Sequence, residues 1–314
     1  MRNSVNFRPL LLVVVLSGIV RGVYAEDPAT LKIPGGEITI HFEDGPPFSL
    51  PHEAFIQWVH AAAEAVTAYY GRYPVPHVDI EITPDQGHGV HDGTAYAHDG
   101  GLITVSVGRN TRQSELDDDW VLTHEMVHLA FPRLNDSHKW LEEGLATYVE
   151  PLGRVRTGSL SPERVWGDLV SGLPQGSPRP GDQGLDVTHT WGRTYWGGAL
   201  FCLEADIEIR KRTQGQKGLV DALRAILQAG GNIREYWEIE PTLKIGDDAV
   251  GVPVLVEQYH QWRATPVTID LDALWKQLGI EWQGRRIIFN DNAPLAPVRR
   301  EITGITAKER HDAG

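Results

Sequence analysis

Two histidines and a glutamate stand at fixed spacing in the mostly apolar stretch Trp120–Phe131, WVLTHEMVHLAF. His124 and His128 are one helical turn apart, so their rings would project from the same face of a helix and could bind one zinc ion. Glu125 is offset by about 100° around that helix, where it could reach a zinc-bound water without ligating the metal. This is the H-E-x-x-H pattern of metallopeptidases, which also arises by chance from isolated polar residues of a core.

A third protein ligand would decide between these two interpretations. The metzincin pattern needs a histidine six residues beyond the second one, but Leu134 occupies that position. His138 lies in a turn before the next helix, and we interpret it as a solvated loop residue. Glu142 and Glu143 follow within the helix that we predict over about Trp140–Glu150, and both are candidates for the third ligand.

The two segments HEMVH and WLEEGLATYVE together resemble the zinc site of gluzincins, particularly the aminopeptidase N and glycyl aminopeptidase groups. The second motif of those groups has the form W-L-x-E-G-x-A-x-Y, and the Glu immediately before Gly is the zinc ligand. The resemblance therefore implies that His124, His128 and Glu143 bind one zinc ion per chain. The helical pattern agrees, because Leu141 and Leu145 share a face and Glu143 points elsewhere.

A tyrosine motif extends the resemblance. In these families the Tyr of a Y-x-K-G-A sequence hydrogen-bonds the tetrahedral intermediate, and Tyr195 stands at this position in TYWGGA, with Gly197 in place of Lys. The resemblance implies that Tyr195 stabilises the oxyanion while Glu125 acts as the general base. The alternative for Tyr195 is aromatic packing in a Trp-rich stretch. His189, six residues earlier, is a second candidate donor to an oxyanion.

The region before the zinc helix departs from the aminopeptidase N pattern. The G-x-M-E-N signature of that group, whose Glu holds the free amino terminus of the substrate, has no Glu counterpart in residues 93–99, GTAYAHD. The resemblance thus supports zinc chemistry more than an exopeptidase preference. The predicted hairpin Thr94–Val107 is our candidate for the edge strand that binds the substrate backbone. We interpret His88, His91 and His98 as residues of a polar loop, with a second metal site as the alternative.

Sequence periodicity predicts strands and one helix in the first part of the mature chain and mainly helices afterwards. The predicted elements of the first part are strands at Gly36–Phe42, Val78–Thr83, Thr94–His98 and Leu102–Val107 and a helix at Pro51–Tyr70 that ends at Gly71. Ser114-Glu-Leu-Asp117 has the form of a capping box, which predicts one helix from there through both histidines to Pro132, with the acidic residues 117–119 in its first turn. The next helix is predicted to stop at Pro151. Further predictions are helices near Tyr195–Arg212, Leu219–Ala229 and Asp270–Leu278 and an extended segment from Arg285.

These elements and the gluzincin resemblance imply an α+β chain with the thermolysin-like, two-lobed metallopeptidase fold. Residues 26–131 would form an N-terminal α/β lobe that contains the edge strand and the zinc helix. Residues 132–314 would form a mainly helical C-terminal lobe that carries the third zinc ligand. The active-site cleft would lie between these two lobes.

The amino terminus has the form of a secretory signal peptide over residues 1–25. Arg2 and Arg8 precede the apolar run Leu10–Val20, which is too short for a membrane span and is followed by a small-x-Ala ending at Ala25. We therefore expect no stable membrane span after cleavage; an uncleaved anchor is the alternative. Loss of this segment, including Arg21, leaves 26 of the 29 basic residues against 42 acidic ones, a net charge of about −16. Such a charge argues against a nucleic-acid partner.

We therefore expect an exported zinc metallopeptidase, periplasmic or extracellular, that acts on peptides or proteins. The main alternative is a non-catalytic cell-envelope binding protein that retains the peptidase fold, and hydrolysis of a non-peptide substrate at the same metal is a third hypothesis. Cys202 is the only cysteine, so we expect no intrachain disulfide and interpret this residue as part of the core.

Overall fold

The computed structural model describes residues 28–283 and 286–304. Its first part is a five-stranded mixed sheet with the strand order β1-β2-β3-β5-β4. The strands are β1 (Ala29–Ile33), β2 (Gly36–Phe42), β3 (His77–Asp85), β4 (Val90–Tyr96) and β5 (Leu102–Gly108). Strands β2, β3 and β5 are parallel, whereas β1 and β4 pair antiparallel with β2 and β5. Strand β4 therefore forms one edge of the sheet.

Helix α1 (His52–Tyr70) follows β2 and ends at Gly71, whose φ of 82° is accessible to glycine at little cost. Its apolar face is buried and packs against the helices that form the candidate site. The predicted strands and helix of this part are confirmed, but β4 begins at Val90 instead of Thr94. The polar residues at the start of β4 concealed it, because they join the sheet through backbone pairing with β5.

The rest of the chain is mainly helical. Its helices are α2 (Gln113–Asp117), α3 (Val121–His128), α4 (Lys139–Arg156), α5 (Pro162–Gly172), α6 (Gly198–Arg212), α7 (Leu219–Gln228), α8 (Ile239–Val250), α9 (Val254–Trp262), α10 (Leu271–Leu278) and α11 (Ala296–Ile302). A π-helical turn (Arg193–Gly197) leads directly into α6, and β6 (Ile280–Gln283) pairs with β7 (Arg286–Phe289) as a separate hairpin. Sequence periodicity missed α5, α8, α9 and α11. In α8, Pro241 and Gly246 weaken the helical signal, yet Gly246 allows close contact with Leu255.

The single helix predicted from Ser114 to Pro132 is wrong, because the chain forms two helices there. Helix α2 ends at Asp117, and α3 begins at Val121 after a short break. Asp119 lies in the break and its carboxylate accepts hydrogen bonds from the backbone N–H groups of Val121 and Leu122, at 3.0 and 3.1 Å. Asp119, rather than Ser114, therefore caps the start of the helix that carries the histidines.

The predicted stop at Pro151 is also wrong, since α4 continues through this proline to Arg156. A proline inside a helix removes one backbone hydrogen bond and normally costs about 3 kcal/mol. The surrounding part of α4 is almost entirely buried, and Gly153 lies against the backbone of Ala65 in α1. Packing of α4 against α1 therefore maintains the helix beyond the proline.

One continuous hydrophobic core includes the sheet, α1 and the later helices. This arrangement of a sheet followed by mainly helices confirms the predicted α+β class. Cys202 is buried in the core, as predicted. The predicted signal peptide, residues 1–25, lies outside the described residues. Among the helices in residues 28–283 and 286–304, none is long and apolar enough to cross a membrane.

Candidate metal centre

Helix α3 places its two histidines together on a buried face. His124 is almost fully buried, and the centres of the His124 and His128 rings are 5.0 Å apart. Their spacing by one helical turn explains the proximity, and the Asp119 cap fixes where that turn begins. Both rings point toward α4, against which α3 packs.

Helix α4 supplies a carboxylate to this pair. The Oε2 atom of Glu143 lies 3.2 Å from Nε2 of His124 and 3.5 Å from Nε2 of His128. The three side chains each offer one ligand atom, and all three atoms lie within 4.8 Å of one another. Two imidazole nitrogens and one carboxylate oxygen are a common ligand set of catalytic zinc sites. The residues therefore fit a zinc ion.

The electrostatics of the three side chains suit metal binding. Burial lowers the pKa of His124, which favours the neutral imidazole that a metal requires. Burial opposes the ionised form of Glu143, but hydrogen bonds to His124 and His128 outweigh it and hold the pKa of this carboxyl far below its usual range. Burial likewise opposes the charged form of His128, yet its contact with Glu143 raises the pKa of His128 overall. A divalent cation bound at this group would displace the proton that makes the imidazole of His128 cationic.

The neighbouring carboxylate, Glu142, has another role. Its Oε1 atom accepts a hydrogen bond of 2.8 Å from the backbone N–H of Leu134 and so ties α4 to the segment after α3. Lys139, one turn before Glu143, places Nζ 3.1 Å from the second oxygen of Glu143. This lysine contact was not predicted, although the spacing of four residues on one helix was a usable signal.

Glu125 lies on the side of α3 that faces the edge strand β4. A β-carbon added to Gly93 would lie 2.8 Å from Cγ of Glu125, so the absence of a side chain at Gly93 allows β4 to approach α3 closely. Glu125, His128 and Glu143 line a cavity of about 230 Å³ together with Thr94 of β4. The predicted hairpin therefore contributes the strand that borders the candidate site.

Tyr195 reaches the site from the π-helical turn that precedes α6. Its ring lies roughly parallel to that of His124, with centres 6.1 Å apart, and it lines the same cavity as Glu125. The helices α4 and α6 approach closely, since a β-carbon on Gly144 would lie 2.3 Å from the backbone of Gly198. Burial and the nearby carboxylate of Glu143 raise the pKa of Tyr195, so its hydroxyl remains a hydrogen-bond donor at neutral pH.

The structure keeps the other candidate residues apart from this group. His138 is not a solvated loop residue; it is mostly buried, and its Nδ1 lies 2.9 Å from Oδ1 of Asp186. His189 is exposed and outside the cavity.

The three histidines of the loop before and within the hairpin are also separate from the centre. His88 lies 3.5 Å from Glu115, and His91 pairs with Asp85 at 3.0 Å. His98 is exposed. Within residues 28–283 and 286–304, the group His124, His128 and Glu143 is the one set of three side chains placed to hold a metal ion.

Similar architectures occur in two solved structures of peptidase-family proteins. A mutant of a two-domain M1 zinc metallopeptidase bound to L-arginine is 17% identical, with a TM-score of 0.52 over 78% of this chain and 53% of that chain. An aminopeptidase N family protein from Idiomarina loihiensis is 13% identical, with a TM-score of 0.59 over 82% of this chain and 49% of that chain. This chain spans about half the length of each of these structures. No protein-family model matches the sequence, and no curated protein sequence does either.

These likenesses define the class of fold: a mixed sheet followed by helices, as in the M1 zinc metallopeptidases. At this level of sequence identity the likeness shows the fold alone. Within this fold, the side chains of His124, His128 and Glu143 form a group that could hold a metal ion.

Proposed function

We propose that this chain is an exported zinc metallopeptidase of the gluzincin type that hydrolyses peptide bonds. The convergence of His124, His128 and Glu143 on one point beside Glu125 is the observation that carries the proposal. The fold shared with M1 zinc metallopeptidases supports the same class of reaction. The full ligand set and the acidic residue beside it also favour an enzyme over a non-catalytic binding protein.

Zinc held by His124, His128 and Glu143 would polarise the scissile carbonyl and make water acidic enough to react at neutral pH. Glu125 accepts the proton of the attacking water and delivers it to the leaving amine. The hydroxyl of Tyr195 donates a hydrogen bond to the carbonyl oxygen as negative charge develops there. Lys139 holds the second oxygen of Glu143 and so acts as a positioning residue.

A peptide substrate suits the edge strand better than other substrates do. Strand β4 pairs with β5 on one side, and Thr94 and Ala95 of β4 line the cavity that contains Glu125. An extended peptide can add to such an edge through backbone hydrogen bonds. This pairing would align a scissile bond along α3. It uses the backbone groups of β4, so peptide binding would need no particular side chain on this strand.

Hydrolysis of a peptide library tests the proposed function. The purified protein should cleave peptides, lose this activity with a zinc chelator and recover it when zinc is restored. Glu125→Gln preserves the shape of the side chain but removes the base, so kcat should fall at least about 100-fold while zinc content is unchanged. Full activity of Glu125→Gln at equal zinc content would refute the mechanism.

Export is the part of the proposal that rests on the sequence of residues 1–25 alone. Amino-terminal sequencing of protein from the culture medium or the periplasm should find Glu26 or a close neighbour as the first residue. Recovery of the intact Met1 terminus from a membrane fraction would favour the uncleaved anchor.

A further inference from the structure

A second cavity of about 410 Å³ opens beside the candidate metal centre. It shares His124 and Tyr195 with the centre and extends from them between α4, α5 and the π-helical turn. Three tryptophans line it: Trp120, Trp191 and Trp196. This size is within the usual range of small-ligand pockets and can receive one large side chain.

The aromatic wall of this cavity continues directly from the metal centre. The ring of Trp191 stacks on that of Tyr195, with centres 5.6 Å apart, and the ring of Tyr195 in turn stacks near His124. Trp196 lies against Gly172 so closely that a β-carbon there would be 2.1 Å from its ring. Close packing therefore fixes this part of the wall in place.

Two of the tryptophans remain largely exposed although they border a cavity. Trp191 is 60% exposed and Trp120 is 54% exposed. Apolar surface that the fold leaves uncovered around a concave site is typical of a binding site. Leu160, Leu169 and Pro151 also line the cavity and add to its apolar surface.

The charged groups of the cavity are paired with one another. Arg164 lies 3.3 Å from Asp118 and 2.7 Å from Asp168, while Arg154 lies 2.9 Å from Glu150. Every carboxylate that lines the cavity thus has an arginine partner within the cavity. These pairs leave no carboxylate without a cationic partner, so the walls favour an apolar occupant over a charged one.

We infer that this cavity, the aromatic pocket, binds a large aromatic or aliphatic side chain of the substrate, on a residue adjoining the scissile bond. Trp191 and Trp196 are then specificity-determining residues. The inference rests on the proposed peptidase function, because it places the occupant in the same peptide whose bond lies at the metal centre. It assigns a substrate class that the metal ligands and the general base do not define.

Peptides that differ only at the two residues flanking the scissile bond test this preference. With Phe or Leu at one of the two positions, kcat/KM should exceed that of the matching Ala peptide by at least about tenfold, as expected for burial of a large apolar side chain. Equal kcat/KM for Phe, Leu and Ala peptides would overturn the inference. A preference for Lys, Arg, Asp or Glu at both positions would overturn it as well.

Two matched tryptophan variants connect the preference to the pocket. Trp191→Ala removes an exposed wall of the pocket and should lower the Phe-to-Ala ratio of kcat/KM about tenfold. Trp282→Ala removes a tryptophan of similar exposure, 52%, on the β6–β7 hairpin, and should leave this ratio and the activity unchanged. An unchanged ratio in Trp191→Ala would mean that another surface selects the side chain.

Binding to Glu125→Gln separates failure of the pocket from failure of the proposed function. Calorimetry should show the Phe peptide binding to this variant at least about tenfold more tightly than the Ala peptide. If the wild-type protein cleaves nothing but this preference in binding persists, the peptidase proposal fails, and only the preference of the aromatic pocket for a large apolar side chain stands. If peptides are cleaved without any preference, the peptidase proposal stands and the aromatic pocket fails.

Discussion

Two adjacent glutamates of α4 show how environment assigns roles at the scale of single residues. Burial raises the pKa of Glu142, whose oxygen is bound to the backbone N–H of Leu134. Glu143 is also enclosed, but its contacts with two imidazoles stabilise the ionised form. Glu143 is thus the carboxylate that is ionised and directed at the histidines, as a metal ligand must be.

Isosteric variants of the two glutamates should separate these roles. Glu143→Gln should weaken zinc binding at least about 100-fold, since even residues that only orient a zinc ligand contribute 10- to 100-fold. Glu142→Gln can still accept the Leu134 hydrogen bond and should keep full zinc content. Metal analysis after dialysis against buffered zinc checks both variants. Loss of zinc from Glu142→Gln, together with full zinc content in Glu143→Gln, would show that Glu142 is the ligand instead of Glu143.

The hydroxyl of Tyr195 should matter in the transition state more than in the ground state. Tyr195→Phe keeps the ring that stacks near His124 and removes only the donor. We expect kcat to fall about 100-fold with little change in KM, as for loss of one oxyanion donor. Steady-state kinetics and zinc content on the same preparation provide the measurement. A variant with normal kcat but a lower melting temperature would assign Tyr195 to packing alone.

Among the secondary-structure elements, the position of α3 depends on how this helix begins. Asp119 accepts two backbone N–H groups at the start of α3 and also the indole N–H of Trp58 in α1, at 3.1 Å. One carboxylate thus fixes both the first turn of α3 and its orientation relative to α1. The position of that first turn determines which side of α3 carries His124 and His128, and this side faces α4.

Removal of the Asp119 carboxylate should destabilise the protein, whereas removal of the Ser114 hydroxyl should not. We expect Asp119→Ala to lower the free energy of unfolding by about 1–2 kcal/mol, the usual range for loss of a helix cap. Ser114→Ala changes an exposed residue within α2 and should stay within about 0.5 kcal/mol of the wild type. Denaturant titration of both variants compares them. If Ser114→Ala lost more unfolding free energy than Asp119→Ala, Ser114 would be the cap, as in the single helix that the sequence predicts.

At the scale of the whole molecule, the candidate centre joins parts of the chain that one core holds together. Glu125 and the two histidines come from α3, Glu143 from α4, and Tyr195 from the turn before α6. Helices α4 and α6 approach closely at Gly144 and Gly198, and this contact brings Glu143 and Tyr195 together. A metal at this point would connect α3 to α4 and thereby stabilise the folded state.

Zinc should therefore raise the thermal stability of the purified protein. A ligand at 100 times its Kd adds about 2.7 kcal/mol to the free energy of unfolding, if it does not bind the unfolded chain. Thermal denaturation with zinc and with a chelator measures this difference. Glu125→Gln should keep the full shift, because it leaves the ligands intact, and His124→Ala should lose it. An equal shift in His124→Ala would place the stabilising zinc elsewhere.

Features that depend on neighbours along the chain could be predicted from the amino-acid sequence. The one-turn spacing of His124 and His128 required only helical geometry, and the α+β class followed from the alternation and helical spacing of apolar residues. Glu143 as the ligand, in preference to Glu142, came from the resemblance to the gluzincin motif; its contact with both histidines is a feature of the structure.

Features that arise between distant segments became visible only in the folded chain. The Asp119 cap, the continuation of α4 through Pro151 and the aromatic pocket each depend on packing partners far away in sequence, such as Trp58, Ala65 and Gly172. Local propensity favoured Ser114 as the cap and Pro151 as a helix end, but burial of large faces outweighs propensities of about 1–3 kcal/mol. The pocket has no local pattern at all, because its walls come from α4, α5 and the turn before α6, and they meet only in the folded chain.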